Sequence, residues 1–375
     1  MNTKKHLVLI GGGHAHMMLL ANINKFVAKG IAVTVIQPSE YHYYSGMGAG
    51  MLGGTYTADE IRFQTRARVE KQGGRFILDR VAEIDPSGRE VVLEQAGERV
   101  AYDVLSCNAG SQVPDRGLSL PEPGDIFPVK PIEGLARARE RIIAAGKSRS
   151  LHVAIVGGGP SAMEIGGNVH QLAYRENLLP PTITIVAGHA VLPHAPERVR
   201  RLTKGSLEKR GISILTNTRV RQVEPGSLLL DNGESLAADI TFLAVGVRPS
   251  PIFSRSGLPV GPDGGLRVNR YLQSVAEPNI FGGGDCIYFE PCPLDKVGVY
   301  AVRQNPVLVH NVMAAFTGTP LQEFHPGGKY LLIYNLGDGY GVLNKWSLAL
   351  GGRPAFRIKD YIDRRFMHTF QTGDH

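Results

Sequence analysis

The chain has 375 residues, of which 43% are hydrophobic and 20% are charged, and its formal net charge is +7. This length allows two or three domains, and no apolar run approaches the roughly 18 residues of a membrane-spanning helix, so we expect none. The N-terminus has no secretory signal pattern, which predicts a cytoplasmic protein. The positive charge favours anionic partners, but no nucleic-acid-binding motif is present and we expect no nucleic-acid partner.

The same glycine signature occurs twice. Residues 7–10 are an apolar run followed by Gly11-Gly12-Gly13, and residues 153–156 are a second run followed by Gly157-Gly158-Gly159. Each cluster is followed by a helix-compatible stretch, so the glycines fall at a strand-to-helix turn. There the backbone can approach a pyrophosphate and the helix N-terminus supplies free N–H groups. Two such turns indicate two dinucleotides, most simply a flavin and a nicotinamide.

The predicted elements follow a βαβ plan in both halves of the chain. The first half has strands 7–10, 32–37 and 104–107, a helix over about 14–28, and a hairpin of 75–84 with 90–94. A proline- and glycine-rich crossover, 114–131, leads to the second half. That half has strands 151–156, 183–186, 212–215 and 240–245, helices over about 161–174 and 196–210, and a hairpin around 231–233.

These elements predict an α/β fold with two Rossmann-like dinucleotide-binding domains, the second inserted in the first. We expect an FAD-binding domain at 1–115 and 265–317, an NAD(P)H-binding domain at 116–264 and a small C-terminal region at 318–375. The C-terminal region ends in a predicted amphipathic helix over 356–370. Its apolar stripe comprises Ile358, Tyr361, Ile362, Phe366 and Phe370, and its basic residues are Arg357, Lys359, Arg364 and Arg365. Such a helix suits a lipid headgroup region, a second copy of the chain in a homodimer, or the protein's own core.

Four landmarks carry a family resemblance. They are the glycine turn at 11–13, the turn Asn108-Ala109-Gly110, the glycine turn at 157–159 with Glu164 behind it, and Gly284-Asp285. In this order they resemble the flavoproteins with two dinucleotide-binding domains, the pyridine nucleotide-disulfide oxidoreductase superfamily. The branch that they resemble is that of type II NADH dehydrogenases and sulfide:quinone reductases.

Within that branch, four stretches are similar to NADH-dehydrogenase-like proteins that are fused to or associated with selenophosphate synthase. They are residues 11–16, 44–47, 296–304 and 360–367. The sequence contains no selenophosphate synthase domain.

The resemblance implies where the two nucleotides bind. FAD would contact Gly11, Gly12, Gly13, His14, Ala15, Gln37, Pro38, Ser45, Val81, Asn108, Ala109, Gly110, Gly284, Asp285, Lys296 and Val297. NAD(P)H would contact Gly157, Gly159, Pro160, Ser161, Glu164, Ala187 and Gly246. Asp285 would accept a hydrogen bond from a ribityl hydroxyl, and a helix N-cap is the alternative. Lys296 would add positive charge beside the flavin, and a solvated loop lysine is the alternative.

Three positions depart from the family pattern. The third glycine of the first turn is replaced by His16, and the acidic residue at the end of the second strand is replaced by Gln37. Gln37, Ser39 or Glu40 would therefore bind the adenosine ribose. In the second domain the corresponding position is Ala187, with no carboxylate to select NADH and no arginine in place to select NADPH. The nicotinamide preference stays open at this point.

The cysteines exclude several chemistries of the superfamily. Residues 38–70 contain no cysteine, and neither do residues 108–285, so a redox disulfide or a single active-site thiol has no candidate there. Cys107 and Cys286 are expected to be buried packing residues, and Cys292 is the candidate reactive thiol. The sequence predicts no metal site.

The resulting functional prediction is hydride transfer from NAD(P)H to FAD, followed by transfer of two electrons to a quinone. The catalytic candidates are Lys296, Glu164 and Gln304. Glu164 would position the nicotinamide or be a helix-start charge, and Gln304 would lie at the quinone side or on the helix surface. The alternatives are oxidation of a sulfide- or selenide-type donor and a non-catalytic, flavin-binding regulator. If the C-terminal helix binds lipid, the protein lies at the inner face of the cell membrane.

Overall fold

The computed structural model describes residues 5–114, 118, 124–345 and 348–372. The first 110 of these residues build most of one dinucleotide-binding unit. Its elements are β1 (His6–Ile10), α1 (Met17–Ala21), α2 (Ile23–Val27), β2 (Ala32–Gln37), β3 (Tyr41–Tyr43), α3 (Gly48–Leu52), β4 (Arg62–Gln64), α4 (Thr65–Lys71), β5 (Arg75–Leu78), β6 (Val81–Asp85), β7 (Glu90–Leu93), β8 (Arg99–Ala101), β9 (Val104–Cys107) and β10 (Ser111–Gln112).

The second unit follows and repeats the plan. It comprises β11 (Ile126–Pro128), α5 (Glu133–Gly146), β12 (His152–Val156), α6 (Pro160–Arg175), β13 (Thr182–Ala187), α7 (Glu197–Glu208), β14 (Ser213–Thr216), β15 (Val220–Glu224), β16 (Gly226–Leu230), β17 (Ser235–Ala238), β18 (Ile240–Leu243) and β19 (Arg248–Pro249).

The remaining residues complete the first unit and add a C-terminal unit. They form α8 (Ile252–Arg255), β20 (Leu266–Val268), β21 (Ile280–Gly282), β22 (Ile287–Phe289), α9 (Gly298–Thr317), β23 (Leu332–Asn335), β24 (Gly341–Lys345), β25 (Leu348–Gly352) and α10 (Arg353–Thr372).

Two five-stranded parallel sheets form the centres of the two units. Their strand orders are β21-β9-β1-β2-β5 and β11-β18-β12-β13-β14. Strands β1, β9, β12 and β18 are almost wholly apolar and buried, as expected for parallel strands covered on both faces. Each glycine turn follows the middle strand of its sheet, β1 or β12. The prediction of two Rossmann-like domains, one inserted in the other, is confirmed.

Two local predictions were wrong. The helix expected over 14–28 is a 3-10 turn followed by α1 and α2, which are separated at Asn22. The Asn22 side chain donates to the Met18 carbonyl at 2.7 Å, so it competes with the helical backbone bonds. The strand expected over 75–84 is two strands: β5 joins the parallel sheet, and β6 forms the hairpin with β7. Between them the buried Asp79 carboxylate accepts the N–H groups of Arg80, Gln95 and Ala96.

The crossover between the units is partly regular. Residues 126–128, predicted as linker, form the edge strand β11 beside β18, while most of 115–123 lies outside the described residues. The chain leaves the first unit after β10 and returns to it after β19, and these two strands are antiparallel neighbours. Ile252 and Phe253 already belong to the core of the first unit, ahead of the boundary at 265 that the sequence suggested.

The C-terminal unit packs on the second unit and reaches the first. Its antiparallel sheet β23-β24-β25 lies against α6 and α7. The contact is so close that a Cβ atom at Gly167 would lie 2.0 Å from the Leu336 carbonyl oxygen. Helix α10 then extends over the segment 44–68 of the first unit, to which it is tied by side-chain hydrogen bonds.

The apolar stripe predicted on α10 is divided. Phe370 is buried and Phe366 is half-buried, whereas Ile358, Tyr361 and Ile362 are 40%, 65% and 44% exposed. Lys359, expected on the polar face, is buried together with Asp363. The periodicity identified the helix, but packing against two neighbours decided which face is covered.

Candidate functional site

A cavity of about 670 Å³ lies between the two units at the carboxyl ends of their parallel strands. Most of the predicted site residues line it: Gly11, Gly12, Gly13, His14, Gln37, Pro38, Ser45, Val81, Asn108, Ala109, Gly110, Ser161, Glu164, Gly284, Asp285, Lys296 and Val297. The other predicted residues do not line it: Ala15, Gly157, Gly159, Pro160, Ala187, Gly246 and Gln304. The site roles of all these residues remain predictions.

The first glycine turn is held by contacts that exclude larger residues. Gly11 has φ of +81°, and a Cβ atom there would lie 2.3 Å from the Asn108 carbonyl oxygen. The Gly12 N–H donates to Gln37 Oε1 at 2.7 Å, and Gln37 Nε2 donates to the carbonyls of Ser39 and Tyr41. The Gln37 amide therefore links the glycine turn to the segment that follows β2.

Those contacts narrow the choice of a ribose-binding residue. Both N–H groups of the Gln37 amide donate to backbone carbonyls, and its oxygen already accepts the Gly12 N–H, while Glu40 pairs with Arg66 at 2.6 Å. Ser39 lines the cavity. Of the three residues proposed from the sequence, Ser39 is the one best placed to bind an adenosine ribose.

Of the two histidines of the first turn, His16 is buried and His14 is partly buried, and their surroundings differ. His16 fills the place of the third glycine, where Nδ1 lies 2.6 Å from the Gly11 carbonyl and Nε2 lies 2.8 Å from Ser106 Oγ. His14 lines the cavity and contacts the rings of His42 and Phe366. Burial lowers the pKa of both His14 and His16 to about 4, so both rings are neutral at pH 7.

Asp285 is the centre of an ionic group that the sequence did not reveal. Its Oδ2 accepts from Lys130 Nζ at 2.7 Å and from Ser111 Oγ at 2.7 Å. Burial would raise the pKa of Asp285, but the Lys130 ammonium and the Ser111 hydroxyl lower it below its usual value. Lys130 lies in the stretch interpreted as linker, and its only sequence signal was a basic residue between apolar ones. Three chain segments thus bring their charged and polar groups to one wall.

Lys296 and Gln304 make different contacts from those expected. Lys296 lines the cavity, but its ammonium pairs with Asp263 at 2.7 Å and donates to the Ile287 carbonyl. Gln304 is 1% exposed, and its Oε1 accepts the Gly284 N–H at 2.7 Å. Gln304 therefore holds the turn that presents Asp285, and a quinone-side role stays a prediction. Helix α9 begins at Gly298, which lines the cavity.

Glu164 lines the cavity from α6 and bonds to the C-terminal unit. Its Oε1 accepts the Asn335 N–H at 2.7 Å. Burial raises the pKa of Glu164 to about 7, although Lys359 and the Asn335 N–H act in the opposite direction. Lys359 in turn pairs with Asp363 at 2.6 Å and donates to the Gly46 carbonyl at 2.7 Å. Glu164 is thus a partly buried group that lines the cavity and bonds to the C-terminal unit, and not a solvated helix-start charge.

In the second glycine turn, Gly157 has no room for a side chain, whereas Gly159 has open space around its Cβ position. A Cβ atom at Gly157 would lie 2.2 Å from the Ala244 carbonyl oxygen, so this residue allows close strand approach. Nothing lies within 4 Å of a Cβ atom at Gly159, which directly precedes α6. The buried Ala187 packs 3.1 Å from a Cβ position at Gly158 and is not available to a ligand.

Two of the three cysteines are buried, as the sequence analysis expected. Cys107 and Cys286 are buried in the core of the first unit, and burial raises the pKa of both thiols. Cys292 is exposed. In the described ranges, no three His, Cys, Asp or Glu side chains are grouped to hold a metal ion.

The sequence and fold were compared with those of known proteins. A profile of the pyridine nucleotide-disulphide oxidoreductase family matches residues 5–315. The chain belongs to this family. Ferroptosis suppressor protein 1 of Taeniopygia guttata is 25% identical over 90% of this chain and 88% of that protein. Demethylphylloquinone reductase NdbB of Synechocystis is 26% identical over 81% of this chain and 76% of that protein.

Solved structures of family members share the architecture over nearly the whole chain. NDH2 of Plasmodium falciparum in complex with NADH superposes with a TM-score of 0.83, at 17% identity, over 99% of this chain and 97% of that chain. The sulfide:quinone oxidoreductase of Aquifex aeolicus has a TM-score of 0.76, at 18% identity, over 98% of this chain and 92% of that chain. At these identities the likeness establishes the fold.

The residues of the cavity fit the FAD that the family implies. Gly110 has φ of +68°, and nothing lies within 4 Å of its Cβ position, so a ligand can approach the backbone. Among the described residues, Asn108 Nδ2 and His14 Nε2 are buried at the first glycine turn without a hydrogen-bond partner. Buried donors and acceptors normally have partners, so these atoms indicate a polar ligand at the turn.

Proposed function

We propose that this chain is an FAD-dependent NAD(P)H dehydrogenase that passes two electrons to a quinone. The observation that carries the proposal is the shared cavity, into which both the first glycine turn and the first turns of α6 open. Donor and acceptor must be in contact for hydride transfer, and a cavity common to both units allows that. When bound, FAD would take a hydride from NAD(P)H and deliver two electrons to the acceptor. The relatives named as quinone reductases support the choice of acceptor.

The residues of the first unit would hold FAD by three kinds of contact. Backbone N–H groups of the turn at 11–13 and the start of the following helical turn would bind the pyrophosphate. Ser39 would bind the adenosine ribose, with Val81 at the adenine end. Asp285, kept ionised by Lys130, would accept a hydrogen bond from a ribityl hydroxyl.

The acceptor side would be formed by an apolar wall and a proton-carrying group. Tyr43, Ala49, Ile132 and Leu135 line the cavity and would pack on a quinone ring. Reduction of a quinone takes up protons as well as electrons. Glu164 lines the same cavity, and its pKa of about 7 allows it to hold or release a proton at neutral pH.

An anaerobic titration tests the proposal. Purified protein with bound FAD is titrated with NADH and with NADPH separately, and the soluble quinone menadione is then added. We expect the visible flavin absorbance to bleach with a nucleotide and to return with menadione. A flavin that stays oxidised with both nucleotides would overturn the proposal, and sulfide and selenide would then be tested as donors. Slow reduction without reoxidation by menadione would overturn the quinone assignment alone.

The exposed face of α10 supports a contact with the membrane surface. No helix in the described part of the chain is long and apolar enough to span a bilayer. Ile358, Tyr361 and Ile362 are exposed, as are Leu348 and Leu350 of the adjoining β25, and Arg357 and Arg365 flank them. Apolar side chains flanked by arginines suit an anionic lipid surface. A homodimer through the same face is the alternative, and a cytoplasmic location stays a prediction.

Vesicle flotation distinguishes binding to a membrane from binding to a second copy of the chain. The triple variant I358S/Y361S/I362S is compared with the wild type on phosphatidylglycerol-containing and pure phosphatidylcholine vesicles. We expect the wild type to float with the anionic vesicles and the variant to lose most of this binding. Equal flotation of both proteins would contradict the membrane contact. A wild-type dimer that the variant converts to a monomer, without any vesicle binding, would support the homodimer.

Co-purification with selenophosphate synthase would test the proposed association with that enzyme.

A further inference from the structure

We propose that the second dinucleotide site selects NADPH over NADH and that Arg219 is the residue that recognises the 2′-phosphate. The inference rests on the proposed function and names its electron donor. It starts from a second cleft, of about 450 Å³, which lies at the carboxyl ends of β13 and β14. Its charged lining residues are Glu197, Arg200, Arg201, Lys204 and Glu208, together with His189.

The cleft adjoins the second glycine turn. The Leu192 N–H donates to the Gly158 carbonyl at 2.7 Å, and a Cβ atom at Gly158 would lie 2.7 Å from the Ala190 carbonyl oxygen. Ala190 also lines the cleft. In a dinucleotide-binding unit, the adenosine ribose lies at the end of the second strand, beside the turn that holds the pyrophosphate. Here the βαβ motif that carries the glycine turn is β12-α6-β13, so the cleft at the end of β13 occupies the ribose position.

The end of β13 lacks the carboxylate that binds the free ribose of NADH. The residues from the last position of the strand onward are Ala187-Gly188-His189-Ala190. In place of a carboxylate, the Arg219 side chain lies over Gly188, with its Cγ 3.2 Å from a Cβ position there. Its Nη2 lies 3.0 Å from His189 Nε2. The sequence prediction that no arginine stands at this site was therefore wrong, because Arg219 arrives from a distant segment.

The backbone around Arg219 is anchored at the site. The Asn217 N–H donates to the His189 carbonyl at 2.9 Å and the Thr218 N–H to the Ala187 carbonyl at 3.3 Å. The Arg219 N–H donates to Asp231 Oδ1 at 3.1 Å. These bonds fix the segment after β14 against the end of β13. Within the described residues, the Arg219 guanidinium contacts the His189 ring and no carboxylate. The positive charge of Arg219 is therefore available to an anion.

Helix α7 adds positive charge to the cleft. Arg200 pairs with Glu197 at 2.6 Å and Lys204 with Glu208 at 3.6 Å, while Arg201 lines the cleft as a third cation. The lining thus holds three cations and two carboxylates, and Arg219 lies beside it. A phosphate monoester carries between one and two negative charges at pH 7, and arginine binds it through two parallel N–H groups. NADPH brings this group to the ribose position, and NADH does not.

Adenosine fragments test the proposal without any redox step. The FAD-containing protein is titrated calorimetrically with adenosine 2′,5′-bisphosphate, its 3′,5′ isomer and 5′-AMP. The variants are Arg219→Ala and, as a matched control, Arg221→Ala, which removes an exposed arginine two residues further along. We expect the 2′,5′ compound to bind about tenfold more tightly than the other two. Arg219→Ala should remove most of this difference, and Arg221→Ala should retain it.

Flavin reduction in a stopped-flow instrument supplies the second arm. We expect NADPH to reduce the flavin at least about tenfold more efficiently than NADH in the wild type, and Arg219→Ala to lower the NADPH efficiency about tenfold with a smaller change for NADH. An equal loss with both nucleotides would overturn the proposal, because Arg219 would then contact the shared adenosine. Equal binding of the three fragments would also overturn it. Tight 2′,5′ binding with no flavin reduction by either nucleotide would overturn the proposed function but not the phosphate site.

Discussion

Gly11 and Gly159 stand in equivalent glycine turns, but only one of them excludes a side chain. Gly11 has φ of +81°, and its Cβ position is 2.3 Å from a backbone oxygen. Gly159 has φ of −84° and open space around it. Gly11→Ala should therefore lower the stability of the protein by at least about 1–2 kcal/mol, whereas Gly159→Ala should change it by less than about 0.5 kcal/mol. Thermal unfolding of the two variants measures this difference, and equal melting temperatures would contradict it.

At the same scale, single residues explain where sequence reasoning succeeded and failed. The glycines at 11–13 and 157–159 could be assigned to turns because backbone freedom is a property of the residue itself. The function of Gln37 could not be assigned, because its amide is directed by Gly12, Ser39 and Tyr41. Lys130 was missed altogether, since its partner Asp285 lies 155 residues away in the chain.

Helix α10 carries a buried ion pair on its covered face. The Lys359 and Asp363 side chains are 10% and 6% exposed, and they lie 2.6 Å apart. Burial raises the pKa of Asp363 despite the neighbouring ammonium. Lys359→Met should therefore lower the stability by about 3–5 kcal/mol, because it leaves a buried carboxylate without its partner.

Matched variants separate the lost charge pair from the lost side chain. The double variant K359M/D363N should recover part of the stability, since it removes the uncompensated carboxylate. Arg357→Ala, on the exposed face of the same helix, should change the stability by less than about 0.5 kcal/mol. Differential scanning calorimetry compares the three variants. If K359M and R357A melt at the same temperature, the ion pair does not hold the helix in place.

Considered as a whole, the molecule has a centre that is sensitive to acid. His16 is buried, and His14 and His42 are partly buried between the glycine turn, the segment 41–47 and α10; burial lowers the pKa of all three. The unfolded chain binds protons at these groups more readily than the folded chain. Stability is therefore fully present above about pH 6.5 and is lost as the pH falls towards 4, by about 3 kcal/mol for His16 alone, whose pKa drops from 6.5 to about 4.

Chemical denaturation at a series of pH values measures this loss. His16→Asn should unfold with a shallower dependence on pH than the wild type over this range. His194→Asn, which changes an exposed side chain, serves as the control and should keep the wild-type profile. If all three proteins show the same pH profile, His16 does not contribute to the acid sensitivity.

The sequence by itself determined the architecture. Two apolar runs with glycine clusters at the same spacing require two Rossmann-like units, because strand burial and backbone freedom are local properties that a linear pattern records. The order of the four landmarks was sufficient to indicate the family. The absence of cysteine from 108–285 was enough to set aside disulfide chemistry in that region.

Only the tertiary structure decided which groups meet. Lys130 reaches Asp285, Glu164 accepts the Asn335 N–H, and Arg219 lies over Gly188 at the end of a strand that itself carries no charge. Each of these contacts joins segments that are far apart in the chain, so no local pattern contains it. The covered and exposed faces of α10 were decided in the same way, because a helix with apolar and polar residues on both sides takes its orientation from the surfaces on which it packs.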